Sequence, residues 1–458
     1  MDGVVRAWAR EEFLGLDLGD VRRSERLLAM VTRIGERPAG TVTGVFRSGA
    51  EREGAFRLLE NARLDERALG EAQARAALER CRPRSTVFVP VDATGLTFAD
   101  THGRKGLGPI GSRHQGARGL QAMTALVVDD SGTTLGIGAQ RYWTRAEKAS
   151  PEYHEDRRAP SKRESAEWMR TLRVAHKRFA EYAPETTPWY QLDRGGDYWH
   201  VLLEGTRMGL LLTVRAAYDR RIDGSARKLW ETLRAQRACG TIRVQVPSRP
   251  GHAARVATLS IRASRVELLL HPRGRAAQRV CVNAVLVAEQ GTVPRSERIE
   301  WMLLTTADVT TFEQAAAVVR GYTMRWRIEE FHRTWKSGGC NVEASQLRSR
   351  DALVKWATLL ASVAARIERL KRLAREQPDL PATEELSRDE IDAVIALGEL
   401  KGRKAGDTPT LGQVVHAIAR LGGYTGKSSG GPPGATVLTR GLADVAVAVK
   451  VLRLQREK

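Results

Sequence analysis

Tyr322-Thr-Met-Arg325-Trp-Arg-Ile-Glu329-Glu-Phe-His-Arg-Thr-Trp-Lys336 is the stretch on which the reading of this chain turns. On a helix turning about 100° per residue, Tyr322, Arg325, Glu329 and Lys336 share one stripe about 60° wide. Met324, Ile328, Phe331 and Trp335 gather on the opposite face, which suits a core, while Trp326 lies with the polar stripe. One helix over 312–335 is expected. A carboxylate set among Tyr, Arg and Lys then has two readings. It is an exposed Arg–Glu pair worth only about 0.2–0.5 kcal/mol, or an acid that holds a cation while its neighbours clamp phosphates.

Two other acids close apolar, β-rich runs. Thr86-Val-Phe-Val-Pro-Val-Asp92 ends in one, although Pro90 is awkward inside a central strand. Trp189-Tyr-Gln-Leu-Asp193 ends in the other. Adjacent strands of an α/β sheet carry such side chains to one edge, and two Asp with one Glu make a hard-oxygen site suited to Mg²⁺ or Mn²⁺. Two ions about 3.5–4 Å apart can activate a water or a DNA 3′-hydroxyl and stabilise the leaving oxygen. Capping of a following turn is the commoner use of a single Asp, and that reading stays open for each.

Outward from these acids, residues 20–28, 51–59 and 66–80 read as helices. Arg22, Arg23 and Arg26 fall within about one turn, a candidate phosphate-facing edge. Residues 120–128 and 133–143 flank Asp129-Asp-Ser-Gly132, a hairpin signature. A helix over 165–182 precedes the second acid and a strand over 209–216 follows it. From 239 to 306 the chain is nearly all short strands, at 242–246, 257–261, 266–270, 280–287 and 299–304, which reads as a β-rich insertion. Further helices are expected over 351–376, from the capping-box signal Ser387-Arg-Asp-Glu390, and over 442–454. Gly423-Tyr-Thr-Gly426-Lys-Ser428 is no P-loop, because Leu421 stands where that motif needs glycine.

The chain has 458 residues, with 74 Lys+Arg against 54 Asp+Glu and a net charge of +20. At about 100–200 residues per domain that length predicts two to four domains, and the charge predicts a polyanionic partner, nucleic acid before others. An apolar content of 42% excludes wholesale disorder. No apolar run reaches about 18 residues, so neither a membrane span nor a signal peptide is expected. Four scattered cysteines without a CxxC pair argue against a zinc knuckle or a disulfide framework, and for a reducing cytoplasm.

The pattern Asp92…Asp193-Arg194-x-x-Asp197…Tyr322-x-x-Arg325-x-x-x-Glu329…Lys336 resembles the DDE transposases of bacterial insertion sequences, in the IS-four and Tn-five branch with its Tyr-Arg-Glu-Lys signature. The likeness extends to Leu18-Gly-Asp-x-Arg22-Arg23 near the start and Ile418-Ala-Arg-Leu-Gly-Gly423 near the end, and so covers nearly the whole chain. It implies an α/β fold: a ribonuclease-H-like core interrupted by a β-rich insertion, with helical N-terminal and C-terminal domains. The corresponding divisions are 1–82 for DNA-end binding, 83–238 and 307–376 for the two parts of the core, 239–306 for the insertion, and 377–458 for dimerisation and DNA contacts.

By the same resemblance, Asp92, Asp193 and Glu329 are the catalytic ligands of two Mg²⁺ or Mn²⁺ ions. Tyr322, Arg325 and Lys336 hold phosphate beside a flipped base, Trp301 stacks on that base, and Arg215 is a further basic position near the DNA. Arg22, Arg23 and Arg26 would grip the end sequence. The implied activity is cut-and-paste transposition: a homodimer binds inverted-repeat ends of double-stranded DNA, cleaves them through a hairpin and joins them to target DNA. The expected setting is the bacterial cytoplasm at the nucleoid, with no membrane partner. Pro90, Ala93 and the Gly195-Gly196 pair depart from the family's pattern around the two aspartates. Two alternatives remain at this point, a catalytically silent DNA-binding derivative and a ribonuclease-H-like nuclease without strand transfer.

Overall fold

The computed structural model describes residues 4–111, 116–146, 164–246, 254–272, 276–292, 294, 298–427 and 431–456. Five helices precede the first strand: α1 (Val4–Glu12), α2 (Val21–Glu36), α3 (Val42–Val45), α4 (Gly49–Glu60) and α5 (Glu66–Glu79). Their starts follow from local chemistry. The Asp20 carboxylate accepts from Arg22 N ahead of α2, Ser48 and Glu51 form a reciprocal capping box on α4, and Asp65 caps α5.

Ten strands then build one mixed sheet: β1 (Thr86–Phe98), β2 (Gly108–Pro109), β3 (Arg118–Val128), β4 (Thr134–Trp143), β5 (Thr187–Leu192), β6 (Leu211–Arg215), β7 (Gly240–Val246), β8 (Arg255–Leu270), β9 (Gln278–Glu289) and β10 (Glu300–Thr305). The order is β2-β3-β1-β5-β6-β10-β9-β8-β7, with β4 on β3. At its centre β1, β5 and β6 run parallel, while the other pairings are antiparallel. Helices α6 (Ala166–Tyr182), α7 (Trp199–Arg207) and α8 (Leu229–Ala235) interrupt the strands. After the last strand come α9 (Phe312–Thr323), α10 (Trp326–Arg333), α11 (Arg350–Glu376), α12 (Arg388–Ala396), α13 (Leu411–Leu421) and α14 (Ala435–Arg456).

Three details differ from the sequence expectation. First, β1 does not end at Asp92. It runs on to Phe98 because β3 keeps pairing with it, from Val91↔Ala125 to Phe98↔Arg118, after β5 has stopped at Leu192. Pro90 is accommodated because the β1–β3 ladder passes over Val89 and Pro90. Second, the strands of 240–305 are continuous with the central sheet. β10 pairs with β6, Leu303 opposite Arg215, so they prolong the central sheet, and the two short strands expected over 257–270 are the single long β8. Third, the helix expected over 312–335 is broken. α9 stops at Thr323, Met324 and Arg325 make a turn, and α10 gives way to a π-helical turn at Thr334–Gly338.

The face of α10 expected to be apolar does enter a core. Ile328, Phe331 and Trp335 are fully buried with Leu96, Leu120, α11 and the N-terminal helices, and Met324 packs against them. The opposite face of the sheet is covered by α5 to α8, through residues such as Leu78, Leu172, Phe179 and Leu202. Helices α12 to α14 form a separate cluster against Leu370 and Leu373 at the end of α11. All four cysteines are free. No helix among the described residues is long and apolar enough to cross a membrane.

Candidate functional site

Strand register brings the first two acids together. β1 and β5 pair in parallel from Thr86↔Thr187 to Val91↔Leu192, so the next step along both chains sets Asp92 beside Asp193. β5 stops there because Asp193 turns its carboxylate back on the chain, Oδ1 accepting from Gly195 N at 2.7 Å at the start of a tight turn over Arg194–Gly196. Gly195 sits close against its neighbours there. A Cβ on Gly195 would lie 2.9 Å from Asp193 Oδ1 and 3.2 Å from the Trp168 ring. Asp92 Oδ1 accepts from Ala93 N at 2.7 Å.

Glu329 arrives from the first turn of α10. Its presence is felt at Asp92, whose carboxyl is pushed up to about 7, chiefly by burial and then by the negative charge of Asp193. Glu329 adds to that push, while Arg325 and the Ala93 amide oppose it. Burial and the two neighbouring carboxylates thus act together on Asp92. The donor set suits a hard divalent cation, and the mutual repulsion is what such a cation would relieve. Their spacing is not that of closed ligation. Among the described residues no group of three or more His, Cys, Asp or Glu side chains stands close enough to hold a metal ion. Glu329 is turned instead to Arg325, whose Nη2 donates to Oε1 at 2.8 Å.

Beside the acids stands a wall of aromatic and basic groups. The break at Met324 and Arg325 lets Tyr322 point into a core with Trp189 and Leu303 while Arg325 lies across its ring, 5.8 Å from the centroid and 5.2 Å from that of Trp326. Trp301, on β10, meets Tyr322 edge-on at 5.3 Å and is only part-buried. Arg215, at the end of β6, donates weakly to the Glu300 carbonyl at 3.4 Å. Burial foremost, and the nearby Arg194 and Arg325, lower its pKa, while Tyr322 works the other way. Burial raises the pKa of Tyr322 against the pull of Arg325 and Arg215. Tyr322 Oη and Arg325 Nε are buried without a hydrogen-bond partner among the described residues.

Lys336 leaves the π-helical turn toward the far part of β1. Its Nζ donates to Gly95 O at 2.7 Å and contacts Thr94 Oγ1 at 3.5 Å. The three N-terminal arginines differ from one another. Arg22 is exposed, Arg26 lies over Gly54 of α4, and Arg23 Nη1 donates to Leu18 O at 2.9 Å, pinning the turn that enters α2. The structure adds Arg194 to the basic wall. Its signal in the sequence was its place in the Asp193-Arg194-x-x-Asp197 pattern.

Three domain families match the chain, in order. A transposase DNA-binding domain matches residues 5–64, a transposase DDE domain residues 193–365, and a Tn5 transposase dimerisation domain residues 362–458. The second spans Asp193 and Glu329, and Asp92 lies ahead of it. The first and third support a DNA partner and a homodimer. With this mixed sheet between two helical regions, the three matches indicate a transposase of the Tn5 type, with DNA-binding, DDE catalytic and dimerisation domains.

Proposed function

We propose that the chain is a cut-and-paste DNA transposase that binds transposon ends, cleaves them by metal-dependent phosphoryl transfer through a DNA hairpin, and joins them to target DNA. The observation that supports this reading is the parallel register that sets Asp92 beside Asp193, with Glu329 of α10 near enough for its charge to act on Asp92. In this reading 83–238 and 307–376 are a ribonuclease-H-like core around the strands of 239–306, while 1–82 binds ends and 377–458 dimerises and adds DNA contacts.

Asp92, Asp193 and Glu329 would hold Mg²⁺ or Mn²⁺, two ions in the full site, which supply Lewis acidity at the scissile phosphate and lower the pKa of the attacking hydroxyl. To take part, Glu329 gives up Arg325, and the freed guanidinium turns to a phosphate. Tyr322 Oη and Arg325 Nε, which lack partners among the described residues, gain them in a phosphate oxygen. Arg215 and Arg194 add positive charge behind them, and Lys336 does so along β1. Trp301 offers a part-exposed ring for an extruded base, an interaction worth about 1–3 kcal/mol. Arg22 and Arg26 face the end sequence, and Arg23 holds the turn that presents them. The DNA's own hydroxyl and water are the nucleophiles, so no covalent protein–DNA intermediate forms.

The test is incubation of purified protein with labelled end DNA and Mg²⁺. Wild type should give nicked, hairpin and joined products, and Glu329→Gln should bind the DNA yet cleave it about 10³-fold more slowly or worse. Ordinary cleavage by Glu329→Gln overturns the assignment. Binding by wild type with no metal-dependent product points to a DNA-binding derivative, and cutting without paired ends or joined products to a nuclease.

A further inference from the structure

Beyond Val91, β1 loses its neighbour β5, so one edge of the strand from Asp92 to Phe98 has no strand beside it among the described residues. Two side chains from the segment after α10 take its place. Lys336 Nζ donates to Gly95 O at 2.7 Å, and Glu343, in the short turn Val342–Ala344, accepts from Thr97 N at 2.8 Å. A carbonyl and an amide two residues apart on a strand face the same way, so the lysine and the glutamate together satisfy the edge as a partner strand would. They also meet each other, Nζ to Oε1 at 3.5 Å, with both side chains less than one-third exposed.

The turn that carries Glu343 is itself fixed. Asn341, just before it, has a φ of 51°, the one positive value at a non-glycine residue among the described residues. Cys340 ahead of it is fully buried. Gly40, from the N-terminal region, packs so closely on the Asn341 carbonyl that a Cβ there would lie 1.7 Å from the oxygen. Lysine is a compact charge on a flexible stem and does not hold one position unaided. Here a rigid acid stands beside it, on the same strand edge that carries Asp92.

We propose that Glu343 is a positioning residue: it tethers the Lys336 ammonium at the β1 edge, at Gly95 three residues along the strand from Asp92, where that charge meets the DNA phosphate. This rests on Lys336 as a phosphate contact in the transposase reading above. Glu343 has no helical spacing to Lys336 and lies outside the Tyr-Arg-Glu-Lys pattern, so only the fold brings it there.

Glu343→Gln separates positioning from scaffolding, because the amide oxygen can still accept from Thr97 N while the charge beside Lys336 is gone. The expected result is an unchanged thermal midpoint, unchanged affinity for end DNA, and single-turnover cleavage at saturating DNA slowed about 10-fold. In a Lys336→Met background the same change should have no further effect, as coupling between contacting groups requires. If Glu343→Gln does not fold, Glu343→Asp, which keeps the charge but not the reach, carries the same prediction. Cleavage at the wild-type rate, or an equal slowing with and without Lys336, overturns the proposal. A wild type that gives no metal-dependent product overturns the transposase reading and this proposal with it, a result distinct from equal rates.

Discussion

Lys355 and Lys336 mark two kinds of polar interior in this molecule. Lys355, on α11, is 1% exposed, and its ammonium meets Leu59 O at 3.1 Å, Asn61 O at 3.0 Å and Asp351 at 2.5 Å. Three donors find three acceptors, and the charge ties α11 to the end of α4. Lys336 has one short bond and two contacts at 3.5 Å, at a margin that solvent reaches. Earlier in the same segment, Tyr322 Oη and Arg325 Nε are buried without partners among the described residues. A buried polar group left unsatisfied costs about 1–3 kcal/mol, so the first arrangement builds the fold and the second keeps donors in reserve for a ligand.

The sharpest way to break this contrast is Lys355→Met. It leaves the buried Leu59 carbonyl without the ammonium, while Asn61 O keeps its bond from Leu64 N, and should lower the unfolding free energy by about 2 kcal/mol in urea, with cleavage per folded molecule unchanged. A loss below about 1 kcal/mol would remove the distinction. Tyr322→Phe should do the reverse. Removing an unpaired hydroxyl should leave stability the same or higher by up to about 1 kcal/mol, while end cleavage slows about 10-fold or more.

His332 tests the same border by pH. Burial, with a smaller push from Lys336, lowers its pKa to about 3, and its Nε2 has no partner among the described residues. Above its unfolded value of about 6.5 both states are neutral and nothing is lost. Between there and about 3 only the unfolded chain takes the proton, so stability should fall with falling pH by at most about 1.4 kcal/mol per unit. His332→Leu should flatten that limb in urea titrations. A slope unaffected by the substitution would show that the imidazole is not held neutral. The smallest effects belong to the N-terminal arginines. Arg23→Ala should cost about 1 kcal/mol through the lost bond to Leu18 O. Arg22→Ala should spare stability and reduce the slope of log affinity against log salt by about 1.

Much of this was legible locally. The apolar runs into Asp92 and Asp193, the Asp129–Gly132 hairpin, and the buried face of Ile328, Phe331 and Trp335 each follow from periodicity or turn chemistry. What escaped depends on partners distant in sequence. Whether β1 ends at Asp92 is decided by β3, not by the run itself, and how the strands of 240–305 join the central sheet is decided by β10 finding β6. A helical wheel assumes an unbroken helix, so it could not show the turn at Met324 or the π-helical turn at Lys336. Glu343 had no spacing to betray it, and Arg23 looked like its neighbours until Leu18 took its guanidinium.

The matched DDE domain ends at residue 365 and the dimerisation domain begins at 362, both inside α11. That helix has 27 residues and contains neither glycine nor proline, so it has no joint and reaches about 40 Å as a single strut. Nothing along it can swivel between the region that pairs two copies and the region that bears the acids. The helices beyond it pack on Leu370 and Leu373 at its end, so within one chain the matched dimerisation region and the stretch that bears Glu329 are joined through a single stiff rod.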